Sequence, residues 1–292
     1  MSNANDSLGN RMKTYEYVPR IKLIRRMPVI LRLDGKSFHT FTKGFQTPFD
    51  PVLSQTMQDT MLYLCQHIQG CVLGYTQSDE ISLVLVDYQK LTTDAWYENN
   101  VQKLCSVSAS MATYAFNSKF ESNLINWSDY CYKHPVDVTK EDSMPLCHTY
   151  DGKIIHWRDV ERHIDAYTRS CHHGALFDAR AFNLPKEEVM NYFTWRQQDA
   201  ARNSIEMVGQ ANYSHTQLMH KSCQQIQDML FTEKGINWND YPTKFKRGSC
   251  CIQRQMGIST DHGVVLRNKW TIDDQIPIFN RQPDYINSLI FI

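Results

Sequence analysis

Arg32-Leu33-Asp34-Gly35-Lys36-Ser37-Phe38-His39 is the stretch on which the fold turns, because a second acidic element, Gln77-Ser78-Asp79-Glu80, answers it further along the chain. Each element ends or interrupts an apolar run that reads as a strand. Val29, Leu31 and Leu33 alternate with Ile30, Arg32 and Asp34, while the runs Cys71 to Tyr75 and Ile81 to Val86 flank the second element as arms of a hairpin. A helix is predicted between them. Asp50 caps it, Pro51 suits the first helical position, and Val52, Leu53, Met57, Met61, Leu64, Cys65 and Ile68 recur at helical spacing until Gly70. A right-handed crossover then lays the first strand beside the hairpin, with Asp34 near Asp79 and Glu80 at one end of a sheet.

Carboxylates held a few ångströms apart repel one another, and a divalent cation neutralises them. Mg²⁺ suits such a site: it takes oxygen ligands, usually one or two protein carboxylates, and leaves its other positions to water and substrate phosphates. A pair of such ions activates an attacking oxygen and stabilises a leaving one in phosphoryl or nucleotidyl transfer. Taken singly, Asp-Gly after a strand is commonly a turn, and Ser-Asp-Glu at a hairpin tip a solvated loop. Their context adds weight. Gly35 permits a tight bend, and the backbone N–H groups from Gly35 to His39 are candidates for an anion-binding nest, with Lys36 or Lys43 adding positive charge.

Five motifs in order carry a resemblance: Arg-Leu-Asp-Gly-Lys-Ser-Phe-His from Arg32, a lysine at Lys43, Gln-Ser-Asp-Glu-Ile-Ser from Gln77, Phe177-Asp178-Ala179-Arg180, and Trp195-Arg196-Gln197-Gln198-Asp199. Together they resemble the tRNA-His guanylyltransferase superfamily, enzymes that add nucleotides to the 5′ end of tRNA and grow the chain 3′ to 5′. Members of the eukaryotic type carry His-Ile-Asn-Asn soon after the Trp-Arg-Gln segment, whereas this chain has Ala201-Arg202-Asn203-Ser204. It is therefore more similar to the guanylyltransferase-like branch, for which the resemblance implies template-dependent repair of 5′-truncated tRNAs. The alternative is addition of the extra 5′ G to tRNA-His. A cyclase-like nucleotidyltransferase and a noncatalytic RNA-binding protein remain as further readings.

The resemblance also implies roles. Asp34 and Asp79, with the Gly35 carbonyl, become metal ligands, and Glu80 is similar to the acidic residue beside the second ligand, a catalytic-site residue with a metal- or triphosphate-linked role. Gly35, Lys36, Ser37, Phe38, His39, Lys43 and Ser78 bind the triphosphate, and Asp178 with Arg180 marks a candidate second nucleotide site. The expected cofactor is Mg²⁺, as two ions, with ATP and GTP as substrates, tRNA as partner and a homotetramer as assembly. The implied fold is α+β: a polymerase-palm-like antiparallel sheet with helices packed on one side, plus a helical or irregular extension.

Across 292 residues Lys plus Arg equal Asp plus Glu at 31 each, which argues against a broad, nonspecific nucleic-acid binder. RNA contact is then expected from local patches: Arg20, Lys22, Arg25 and Arg26 before the first strand; Arg196, Arg202, Asn203, His215 and Lys221 around a long helix; and Lys244, Lys246 and Arg247, with Tyr241 and Phe245 as base-stacking candidates. Each cluster reads equally well as a solvated face. No leader or apolar span is visible, so the expected setting is cytoplasmic, with free thiols and no membrane partner. Cysteines and histidines crowd residues 131–173, from Cys131 and His134 to His172 and His173, but without Cys-x-x-Cys pairs, so zinc there stays an open question.

The remaining expectations are coarse. They are a disordered tail over 1–10, a catalytic body with tRNA-binding helices over 11–256, and a docked C-terminal extension over 257–292. A second helix is predicted over 95–116 and irregular chain over 117–157. A strand follows at 176–184, then a long helix at 186–209 with Trp195 on its core side. Ser222 and Gln225 form a capping box for a helix ending at Lys234, closed by Gly235. A final strand is expected over 248–253.

Overall fold

A computed structural model of the protein describes residues 6–136, 146–148, 154–260 and 263–291. The chain begins with α1 (Ser7–Tyr17), β1 (Val29–Gly35), the short α2 (Phe38–Phe41), α3 (Pro51–His67) and the hairpin β2 (Cys71–Gln77) and β3 (Glu80–Leu85). Next come α4 (Val101–Lys133), the small strands β4 (Pro135–Val136), β5 (Leu146–His148) and β6 (Ile154–His156), α5 (Trp157–His173) and β7 (Phe177–Asn183). The last third holds α6 (Lys186–Asn212), α7 (His215–Leu218), α8 (Cys223–Lys234), α9 (Thr243–Arg247), β8 (Ser249–Thr260), β9 (Gly263–Asp273) and α10 (Asp284–Ile290).

Six strands form one sheet in the order β7-β1-β3-β2-β8-β9, and every neighbouring pair is antiparallel. Strand alternation divides the core. Leu31, Leu33, Ile81 and Leu83 point into a cluster with Met57, Met61 and Leu64 of α3 and Phe116, Phe120 and Trp127 of α4. Ile30, Tyr75 and Val84 point the other way, onto Val189 and Phe193 of α6 and Ile286 and Ile290 of α10. The α+β palm-like class is the one expected, and the structure adds a second helical layer to the single one foreseen. Gly74 lets α3 lie close on β2, since a Cβ there would sit 2.5 Å from Cys65 Sγ.

Where pattern was local, the sequence reading holds. The Asp50 carboxylate accepts from the Leu53 N–H at the head of α3, Ser222 and Gln225 complete a capping box on α8, and Gly235 is left-handed at φ 67°. Other expectations are corrected. The expected disordered tail overlaps α1, which starts at Ser7 with Asp6 as its cap; residues 1–5 lie outside the described residues. The segment expected to be irregular is helical as far as Lys133, because Phe116, Phe120, Trp127 and Cys131 carry the apolar stripe of α4 onward into the core. The strand expected to be last is followed by β9, and β8 runs unbroken through the boundary placed at 256/257. No helix among the described residues is long and apolar enough to cross a membrane.

Candidate active site

The crossover places β1 against β3 with Asp34 directly opposite Glu80, and the Gly35 N–H donates to the Asp79 carbonyl at 3.1 Å. On its other side β1 pairs with β7, which sets Asp34 opposite Asp178 and Arg32 opposite Arg180. Asp79 sits in the β2–β3 turn beside Ser78, whose φ of 51° turns the chain sharply there. Burial raises the Asp79 carboxyl above its ordinary range, and the Asp34 and Glu80 charges push the same way. Neither Asp34 nor Asp79 has a cationic partner among the described residues.

Glu80 is different. Its carboxylate, 4 % exposed, takes Arg196 through two bonds of 2.8 and 2.7 Å and Arg32 Nη2 at 2.7 Å. A carboxylate so enclosed ties α6 to the sheet, and both of its oxygens are engaged by guanidiniums rather than open to the cleft. Arg196, expected as an RNA contact, is buried and bonds Asp199 at 2.9 Å as well as Glu80. The row Arg196–Asp199–Arg202 is an ion-pair ladder whose last member alone is exposed.

Gly35 leads into α2. A Cβ at Gly35 would lie 2.3 Å from the Phe38 ring, so only glycine lets the chain bend over that ring. Phe38 is buried against Phe116 and Phe177, both at 5.4 Å, so it offers a ligand its backbone rather than its ring. The expected nest shrinks too: the Gly35 and Lys36 N–H groups are taken by the Asp79 and Leu176 carbonyls. The N–H groups of Ser37, Phe38 and His39 remain at the head of α2, beside a cleft of roughly 510 Å³. Gly35, Ser37, Phe38, His39, Ser78 and Asp79 line this cleft, whereas Lys36 and Lys43 lie outside its lining. All three side chains of Lys36, Ser37 and His39 are exposed.

Sequence reasoning missed one wall of the cleft. Asp50, expected only as a cap, also accepts from the Gln46 N–H at 2.9 Å and from the Tyr167 hydroxyl at 2.6 Å, and burial raises its carboxyl. Tyr167 comes from α5, an element with no counterpart in the sequence reading, so no local signal announced the pairing.

The RNA-contact candidates separate by exposure. Arg202, Asn203, His215 and Lys221 are exposed. Lys246 is buried with its Nζ on the Asn239 carbonyl, and Arg247 is half-buried. Phe245 stacks on Phe49 at 4.9 Å and Tyr241 meets the same ring at 5.3 Å, so both are packed rather than presented to bases. Lys22, Arg25 and Arg26 are held by Glu98, Asp87 and the Lys90 and Leu91 carbonyls. Among the described residues no three His, Cys, Asp or Glu side chains gather for a metal; Cys131 is in the core and the His163 Nδ1 faces the Gly44 carbonyl. Residues 137–145 and 149–153 of the Cys/His-rich segment lie outside the described residues.

The Asp34 and Asp79 carboxylates and the Gly35 carbonyl are all oxygen donors, and with no cationic partner for either carboxylate among the described residues their chemistry would suit Mg²⁺, with waters and phosphates completing the shell. Comparison with known proteins finds nucleotide-bound relatives. The family model for tRNAHis guanylyltransferase (Thg1) matches residues 9–185. A bacterial tRNAHis guanylyltransferase (Thg1)-like protein in complex with ATP is 41% identical, with a TM-score of 0.74 over 98% of this chain and 100% of that one. A corresponding bacterial structure in complex with GTP is 39% identical, with a TM-score of 0.72 and the same coverage, 98% and 100%. The tRNAHis guanylyltransferase of Schizosaccharomyces pombe is 27% identical over 256 residues, 82% of this chain and 80% of its own length.

Proposed function

We infer the function from one premise: this chain belongs to the tRNAHis guanylyltransferase family, a family of nucleotidyltransferases. We propose that it adds nucleotides in the 3′-to-5′ direction to the 5′ end of truncated tRNA, guided by the opposite strand of the acceptor stem. The observation that carries nucleotidyl transfer is the closeness of Asp34 to Asp79, near enough for its charge to raise the Asp79 carboxyl, where Asp79 lines the cleft and neither has a cationic partner among the described residues. Support for repair, as against addition of a fixed G, comes from Ala201-Arg202-Asn203-Ser204. Ser204 is buried in that segment, where it accepts from the Trp238 indole N–H at 3.1 Å.

In this reading the Asp34 and Asp79 carboxylates and the Gly35 carbonyl hold Mg²⁺, which supplies neutralisation of charge on the reacting phosphates. The Ser37, Phe38 and His39 N–H groups, with Ser78, orient a triphosphate. The 3′-hydroxyl of the incoming nucleotide attacks the RNA's 5′ phosphorus, a P–O bond forms, and the leaving group departs with the bond it breaks. Pyrophosphate leaves from a triphosphate end. A monophosphate end is first adenylylated by ATP with loss of pyrophosphate, and AMP then leaves. Positioning and charge account for such a reaction with little covalent work by the protein. Asp178 and Arg180, an exposed pair 3.8 Å apart on the strand next to Asp34, are the proposed second nucleotide site. A homotetramer belongs to the same reading.

The second reading, addition of the extra 5′ G to tRNA-His, is favoured by the name of the Schizosaccharomyces pombe relative. One experiment separates the two. The protein is incubated with Mg²⁺, a tRNA lacking its first 5′ nucleotide, and each labelled nucleoside triphosphate in turn. Incorporation of only the nucleotide complementary to the acceptor strand supports repair. Addition of G whatever the template supports the second reading, and no extension of any 5′-phosphorylated RNA removes both.

A further inference from the structure

Helical spacing assigns Trp195 to the core, and the structure places it elsewhere: 48% of the residue is exposed. The indole is nonetheless held rigidly. The Arg196 guanidinium lies 4.5 Å from the ring centroid and that of Arg32 5.9 Å, and both guanidiniums end on Glu80 at 2.7 Å. Tyr192 braces the ring edge-on at 5.9 Å. An indole fixed by two pinned cations, with half its surface open to solvent, is a preorganised apolar plate.

Its position is informative. Arg32, whose guanidinium lies over the indole at 5.9 Å, is on the same strand face as Asp34, and two residues of strand separate them by about 7 Å. Arg180 and Asp178 stand opposite those two residues on β7. The indole is thus linked through the Arg32 guanidinium to the strand face that carries Asp34.

We propose that Trp195 is a stacking platform for a nucleobase held beside Asp34 and Asp79, supplied either by the RNA 5′ end or by a second nucleoside triphosphate. The inference rests on the nucleotidyl-transfer site proposed above and adds a substrate contact to it. Stacking on an aromatic ring accepts every base, because each has a π-face. A template-directed enzyme needs such a base-blind grip, since discrimination comes from pairing with the opposite strand.

The test compares the wild-type protein with Trp195→Phe, Trp195→Leu and Trp195→Ala. It measures equilibrium binding of ATP with Mg²⁺, binding of 5′-truncated tRNA, and the quenching of indole emission by each. The chain has Trp 6 in all, so the Trp195→Phe difference isolates the signal from this one. The Leu and Ala variants are expected to bind about 5- to 150-fold more weakly, and the Phe variant to keep most of the affinity. Loss confined to tRNA assigns the base to the RNA end, and loss confined to ATP assigns it to the nucleotide. A Leu variant that binds both ligands like the wild type, or a Phe variant as weak as Ala, overturns the proposal and leaves the indole as a cover for the Glu80–Arg196 pair. Binding and quenching need no turnover, so they stand apart from failure of the transfer reaction itself.

Discussion

Replacing Glu80 by Gln tests whether this carboxylate joins α6 to the sheet or serves the reaction directly. Glu80 is 3% exposed and holds two guanidiniums, so the neutral variant leaves the buried Arg196 and the partly buried Arg32 beside one another with only Asp199 to balance them. Removing one partner of a buried ion pair typically costs about 3–5 kcal/mol. At an unfolding entropy near 2.1 cal/mol/K per residue, a chain of this length shifts by roughly 1.6 °C per kcal/mol, which gives a fall in Tm of about 5–8 °C. Arg196→Met should fall by a similar amount, and the double variant by less than the sum, as expected for residues in contact. Calorimetry reads the stability, and titration of ATP in the presence of Mg²⁺ reads the site. A Glu80→Gln protein with wild-type Tm that no longer needs or binds Mg²⁺ would falsify the positioning role and return Glu80 to the metal.

Gly35→Ala drives a methyl group toward the buried Phe38 ring, 2.3 Å from the ideal Cβ, and should cost about 1–3 kcal/mol in a denaturant titration while transfer is lost. Burial pushes the Tyr192 hydroxyl up to about 12, above the value of about 10 for an unfolded tyrosine. As pH rises the unfolded chain therefore loses this proton first, and stability contributed below pH 10 fades between about 10 and 12, by at most ~2.7 kcal/mol. Tyr192→Phe should flatten that part of the stability–pH curve; an unchanged slope refutes the shift. For RNA, Arg202→Ala should reduce the slope of log affinity against log salt by about 0.7–0.9, as expected for one phosphate contact, whereas Lys246→Met should leave the slope intact. The reverse pattern would mean that the exposed end of α6 is not where RNA lies.

The parts of this fold that were legible are those fixed by neighbours in sequence. β1, the hairpin and α3 each carry their own period, cap or stop, and the crossover rule then brings Asp34 to Asp79 without knowledge of the rest. Long-range partners were not legible. Which of Asp79 and Glu80 is left without a guanidinium partner depends on Arg196, a distant residue on another element that bonds one and not the other. Trp195 fits an apolar stripe, but the stripe does not reveal that a pinned guanidinium holds the ring at the surface. β9 escaped because its hairpin with β8 is largely exposed from Val265 to Lys269, and no alternation marks a strand without a buried face. Lys246 illustrates the converse error: a basic cluster in sequence read as a surface, although its ammonium folds back onto a backbone carbonyl.

The most direct measurement is transfer to a 5′-truncated tRNA by Asp34→Ala and Asp79→Ala proteins, with tRNA affinity followed in parallel. The account predicts that each substitution abolishes nucleotide incorporation at every Mg²⁺ concentration tried while tRNA still binds with near wild-type affinity. Incorporation at the wild-type rate by either variant would contradict it.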